Sequence, residues 1–145
     1  MVIAEKQFII NSSQQRIWEL LLKSVLRFMP FERMRPTSEK SVQALLRVKM
    51  GFISLPMDVD VEIVKASPPE LLVTILNSRG MGGLINLKQK ATFKLIPKDE
   101  DKTTVDCKIV AEEIGIIVRM FLLWRVRAIA WDSFQGLEER LNKWV

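Results

Sequence analysis

A chain of 145 residues buries roughly 70% of its unfolded surface on folding, enough for one hydrophobic core without disulfide or metal staples. Its 48% hydrophobic and 27% charged residues exclude a disordered or low-complexity chain. A formal charge of +5 without a dense basic run argues against a nucleic-acid partner, and a lone cysteine excludes an internal disulfide and a thiolate metal cluster.

His and Tyr are both absent. The commonest general base, the commonest neutral metal ligand and the phenolic acid are therefore missing, so neither a catalytic constellation nor a cofactor or metal site is expected. The start, with Glu5 and Lys6 and no apolar core before a small-residue cleavage site, is unlike a signal peptide. A cytoplasmic location is the expectation.

Residues 3–10 are rich in β-formers and predict a first strand. Asn11-Ser12-Ser13, with Gln15 three after Ser12, then supplies helix-capping side chains. Ile17, Leu20, Leu21, Leu22, Val25 and Phe28 recur at helical spacing until Pro30 stops the run. The mixed-charge, proline-containing stretch 31–40 reads as a turn with a short helix near Phe31–Met34.

From Val42 the period changes to two. Val42, Ala44, Leu46, Val48 and Met50 alternate with Gln43, Arg47 and Lys49; after Gly51, Met57, Val59, Val61 and Ile63 alternate with Asp58, Asp60 and Glu62. An antiparallel pairing that sets the basic row beside the acidic one is expected to join these two strands. The acidic row has the i, i+2 spacing of metal ligands but lacks the glycine turn of a calcium loop, so pairing with cations is its expected role.

Pro68-Pro69 predicts the next turn, residues 71–77 a short strand, and Gly80-Met81-Gly82-Gly83 a flexible connection. The glycines do not form a dinucleotide fingerprint, because a strand-like run follows them. They read instead as a mobile lip, together with residues 51–56. Leu87, Ala91, Phe93 and Leu95 make the following strand, and Val105, Cys107 and Ile109 the last one. Cys107 reads as a small buried hydrophobe.

Beyond Ile114 no proline interrupts the chain, and one long closing helix is expected. Its arginines, each costing roughly 2.5–3.5 kcal/mol at a bilayer centre, argue against a membrane span. At 100° per residue, Ile116, Leu123, Val126, Ala130, Phe134, Leu137 and Leu141 share a face expected to lie on the sheet, with Arg119 and Arg127 within it. Ile117, Phe121, Trp124, Ala128 and Trp131 form a second apolar strip. A covering loop, a second copy of the chain, a partner enzyme or a membrane surface is its expected cover.

Several local patterns resemble the family of the carbon monoxide dehydrogenase G subunit, within the START-related (polyketide cyclase/Bet v 1-like) superfamily. They are Phe8-x-Ile10 before a helix bearing Trp18-Glu19 and Leu21, Gly51, Pro68-Pro69, Gly80 with Gly82-Gly83, and the long closing helix. The resemblance covers nearly the whole chain and implies one α+β helix-grip domain over residues 1–145. In that fold a curved antiparallel β-sheet wraps around the C-terminal helix over a cavity for lipids, quinones or similar apolar molecules. It also implies an alternative role in maturing or membrane-recruiting a molybdenum hydroxylase such as carbon monoxide dehydrogenase.

On that basis Leu46, Val48, Val61, Phe93, Val105, Cys107, Ile109, Leu123 and Phe134 are the expected lining of a ligand cavity, unless they simply fill a core. Arg119 and Arg127 are expected either to grip a polar group of the ligand or to reach the rim, where Glu112 and Glu113 are possible partners. Ile117, Phe121, Trp124 and Trp131 are the expected interface. A cyclase-like enzyme on this fold ranks last, because acids and bases for the cavity are scarce.

Overall fold

Period-two alternation builds the sheet. In the computed structural model, which describes Met1–Val145, seven antiparallel strands form: β1 (Val2–Ile10), β2 (Glu32–Ser38), β3 (Ser41–Met50), β4 (Ile53–Ser67), β5 (Leu71–Gly80), β6 (Ile85–Asp99) and β7 (Lys102–Ile114). Their order is β1-β7-β6-β5-β4-β3-β2, a meander whose last strand closes beside the first. Helix α1 (Gln14–Ser24) follows β1 and runs into a 3₁₀ turn at Val25–Arg27. Ser13 caps α1 by accepting from the Arg16 N–H, while Gln15 donates to Glu19 further along the helix rather than closing a capping box.

Two expectations for the sheet need correction. The stretch read as a turn with a short helix contains strand β2, whose side chains are nearly all exposed. An edge strand needs no apolar alternation and tolerates Pro36 and charges, so the periodic signal is missing there. The facing charge rows are also displaced. A two-residue turn at Gly51-Phe52, with Gly51 at φ +62°, sets Met50 opposite Ile53 and leaves Arg47 opposite Pro56.

The charges are answered from the other neighbours. Arg47 Nε meets Glu32 Oε2 of β2 at 2.7 Å, and Arg79 Nη2 of β5 meets Asp60 Oδ2 at 3.1 Å. Both pairs are exposed and worth about 0–1 kcal/mol each, so they trim the register rather than hold it. The inward rows do more: Val61 of β4, Phe93 of β6, and Val105, Cys107 and Ile109 of β7 are all completely buried.

The closing helix enters through a π-helical turn, Val118–Leu122, and continues as α2 (Leu123–Trp144). A π turn holds about one extra residue, which rotates everything before it by about 100° relative to a uniform helix. Val118 and Leu122 consequently face the core, and Ile116 is 69% exposed instead of lying on the sheet. From Val126 onward the apolar residues of the expected face, Val126, Ala130, Phe134, Leu137 and Leu141, are the buried ones.

Arg119 and Arg127 are exposed, not turned inward. Arg119 falls in the displaced π turn. Arg127 lies after it and reaches out to donate from Nη1 to the Val2 carbonyl at 3.2 Å, which meets its hydrogen-bonding need without burying its charge. Lys6 adds a second tie between β1 and α2, 3.0 Å from Glu138 and stacked 5.2 Å over the Trp131 ring.

Three rings from three layers meet at the centre. Phe28, just beyond the 3₁₀ turn, lies 5.5 Å from Phe93 and 6.3 Å from Phe134, and Phe93 and Phe134 are 6.3 Å apart. Edge-to-face and offset pairs of this kind add about 0.5–1.5 kcal/mol each beyond area burial. Truncation by Phe134→Ala is expected to cost about 3–5 kcal/mol, read as a lower urea midpoint at unchanged slope.

Cys107 is enclosed in the same core, and burial, reinforced by the charge of Asp106, pushes its thiol well above its ordinary value of 9.0. Above that pH the unfolded chain releases the thiol proton while the folded chain keeps it, so stability falls as pH rises. Between pH 9 and pH 10 the native chain should lose about 1 kcal/mol more than Cys107→Val, measured by urea unfolding of both.

Candidate ligand pocket beneath the last helix

The grip is not filled evenly. Around the phenylalanine cluster it is solid, but toward the N-terminal half of α2 a narrow pocket of about 20 Å³ remains. Leu46 and Val48 of β3, Met57 and Val59 of β4, Leu76 and Ser78 of β5, and Leu87 and Gln89 of β6 form its floor. Met29, Val126 and Ile129 cover it. Nine of its eleven lining side chains are hydrophobic, and its volume holds about one water molecule.

Gln89 departs from this apolar lining. It occupies an inward position in the row Leu87, Gln89, Ala91, Phe93, is 3% exposed, and its amide nitrogen has no hydrogen-bond acceptor. A buried amide donor without a partner costs about 1–3 kcal/mol. Its only trace in the sequence is one polar residue within an otherwise apolar inward row, which a search for alternation passes over.

Of the residues expected to line a ligand cavity, Leu46 and Val48 border this narrow pocket. Val61, Phe93, Val105, Cys107, Ile109 and Phe134 are fully buried in the packed core, away from the pocket lining. Leu123 packs against that core partly buried. The glycine turns, expected as a lip, line neither this pocket nor the groove beside it.

Met29 and Ile129 also border an open groove of about 780 Å³ alongside α2, so pocket and groove lie on either side of these two side chains. The groove walls are polar: Arg27, Arg47, Lys49, Arg125 and Arg140 face Glu32, Asp132 and Glu139. The sequence does not mark these residues as a site, because they come from strands β2 and β3, the turn after α1 and the last helix, far apart along the chain.

The second strip of the closing helix stays largely uncovered. Phe121, Trp124 and Trp131 are 55%, 60% and 44% exposed, and Ile117 is half-buried against the core. Ile116 and Met120 extend the exposed apolar surface. No helix of the chain is long and apolar enough to cross a membrane.

The fold is shared with solved structures of low sequence identity. A conserved protein from Geobacillus kaustophilus superposes with a TM-score of 0.74 at 16% identity, over 96% of this chain and 94% of that one. A START superfamily protein from Mycobacterium smegmatis gives 0.70 at 11% identity, over 98% of both. Truncated norcoclaurine synthase from Thalictrum flavum gives 0.69 at 13% identity, over 99% of this chain and 91% of that one. These likenesses establish the START-like helix-grip architecture. A search of curated protein sequences finds no match. The family model for the carbon monoxide dehydrogenase G subunit (CoxG) matches residues 7–142, and the chain belongs to that family.

Proposed function

We propose that the protein is a non-catalytic binding or carrier module for an apolar small molecule, a lipid, quinone or similar compound, held between the sheet and α2. The observation that carries this reading is the apolar pocket with one unpartnered donor: Gln89 offers an N–H to a ligand oxygen inside a seam that is otherwise hydrocarbon. The pocket is narrow without a ligand, but two of its walls are Met29 and Met57, unbranched side chains that change rotamer at little cost. The absence of His and Tyr, and a Cys107 thiol held protonated in the core, support a binding role over a catalytic one.

Native mass spectrometry of the protein purified from its own host, followed by solvent extraction, should release one apolar molecule per chain. A bare chain that also fails to bind Nile red in a saturable, one-to-one manner would overturn the reading. Gln89→Leu provides an internal check. Removing an unpaired buried donor should raise stability by about 1–2 kcal/mol in urea unfolding while weakening carbonyl-bearing probes. A loss of stability would show that Gln89 is part of the core's support.

A second reading, an accessory protein docking on a molybdenum hydroxylase, a second copy or a membrane surface, draws on the exposed Phe121, Trp124 and Trp131. Replacing Trp124 and Trp131 by Ser should leave stability within about 1 kcal/mol, since both rings are largely exposed. The same double variant should abolish co-sedimentation with vesicles or co-purification with an enzyme. Unchanged behaviour in both assays would remove the strip from any interface.

A further inference from the structure

Three buried side-chain nitrogen or oxygen atoms in the whole chain lack a hydrogen-bond partner, and two of them belong to residues that line the pocket and the groove sharing Met29 and Ile129. Gln89 Nε2 lies inside the pocket. Arg125, one helical turn before Ile129, borders the groove outside it, and its Nε is buried without an acceptor. The guanidinium rests 5.8 Å from the Trp124 ring centre, which holds its plane without meeting its donors.

The other groove cations differ in their engagement. Arg47 is paired with Glu32, and Arg140 donates to the carbonyls of Gly136, Arg27 and Phe28. Asp132 and Glu139 also border the groove, yet neither forms an ion pair with Arg125 or any other cation, since the three ion pairs of the chain join other residues. Five cationic side chains against three carboxylates give the groove a net positive field. Arg125 therefore presents a charged donor, partly withdrawn from water and without an acceptor, beside the two side chains that the groove shares with an apolar pocket.

We infer that the pocket and groove together take a single-chain amphiphile with an anionic head, a carboxylate or phosphate monoester on Arg125, whose chain passes between Met29 and Ile129 and bears an oxygen that accepts from Gln89. The inference rests on the binding role proposed above and adds the chemical class of the ligand. A planar guanidinium suits both head groups, because each offers two oxygens to its parallel N–H donors. Lys49 and Arg27 add charge without fixed geometry. A pocket of about 20 Å³ that widens only by movement of Met29 and Met57 favours one alkyl chain over the paired chains of a diacyl lipid.

The test compares four twelve-carbon probes below their micellar concentrations: dodecanoate, dodecyl phosphate, dodecanol and dodecyltrimethylammonium, each titrated calorimetrically into the full chain. Either or both anions should bind at least about tenfold more tightly than dodecanol, with the ammonium weakest. Better binding by dodecanoate or by dodecyl phosphate identifies the head group. Arg125→Met should remove the anion preference and leave dodecanol affinity unchanged. Arg125→Gln, more soluble, gives the same comparison should the Met variant misfold.

Equal affinity of the anions and dodecanol, or an anion preference that survives loss of Arg125, would overturn the anionic subsite while leaving the apolar pocket intact. Failure of all four probes to bind, together with failure to bind Nile red, would overturn the binding function itself.

Discussion

The structure depends on one packing constraint, the meeting of Phe28, Phe93 and Phe134. Each ring comes from a different layer: the turn after α1, the centre of the sheet, and α2. Because protein interiors pack at crystal-like density, rings at 5.5–6.3 Å leave no room for a ligand in that part of the grip. The helix is pinned there, and Arg127 and Lys6 tie its outer side to β1. The remaining slack lies toward Val126 and Ile129, where the pocket is found.

Much of the sheet was legible because its inner face is buried and its outer face is wet, which forces a period of two. The inward rows from Val42 to Val48, Met57 to Val61 and Val105 to Ile109 are all buried, as the alternation requires. Strand β2 was not legible, since an edge strand with exposed side chains leaves no such trace. The charge pairing failed for a related reason. Opposite charges on neighbouring segments show that strands are adjacent, but the turn sets the register, and a two-residue hairpin at Gly51-Phe52 moved the rows out of alignment.

The closing helix shows a different limit. A uniform 100° projection places the apolar face correctly from Val126 onward, though not Arg127 at its margin, and fails on the far side of a π turn, because one inserted residue shifts the whole phase. Val118–Leu122 is such a turn, and it removed Ile116 and Arg119 from the face assigned to them. Nothing in the composition of that segment marks a π turn. The pocket was legible only in part: Leu46 and Val48 belong to it, whereas Met29 and Ile129 acquire their role from the way α2 crosses the sheet.

The polar residues near the pocket sort by whether the fold already satisfies them. Arg127 and Arg140 end on backbone carbonyls, and Arg47 and Arg79 on carboxylates, so folding alone accounts for their positions. Gln89 and Arg125 are not accounted for in this way. A leucine at 89 would continue the apolar row, and a methionine at 125 would cover the same stem without a desolvated donor, each sparing the fold an unpaired group. Two such costs, one in the pocket and one in the groove that shares Met29 and Ile129 with it, are simplest to understand as offset by a molecule that brings acceptors to both, with apolar length between them.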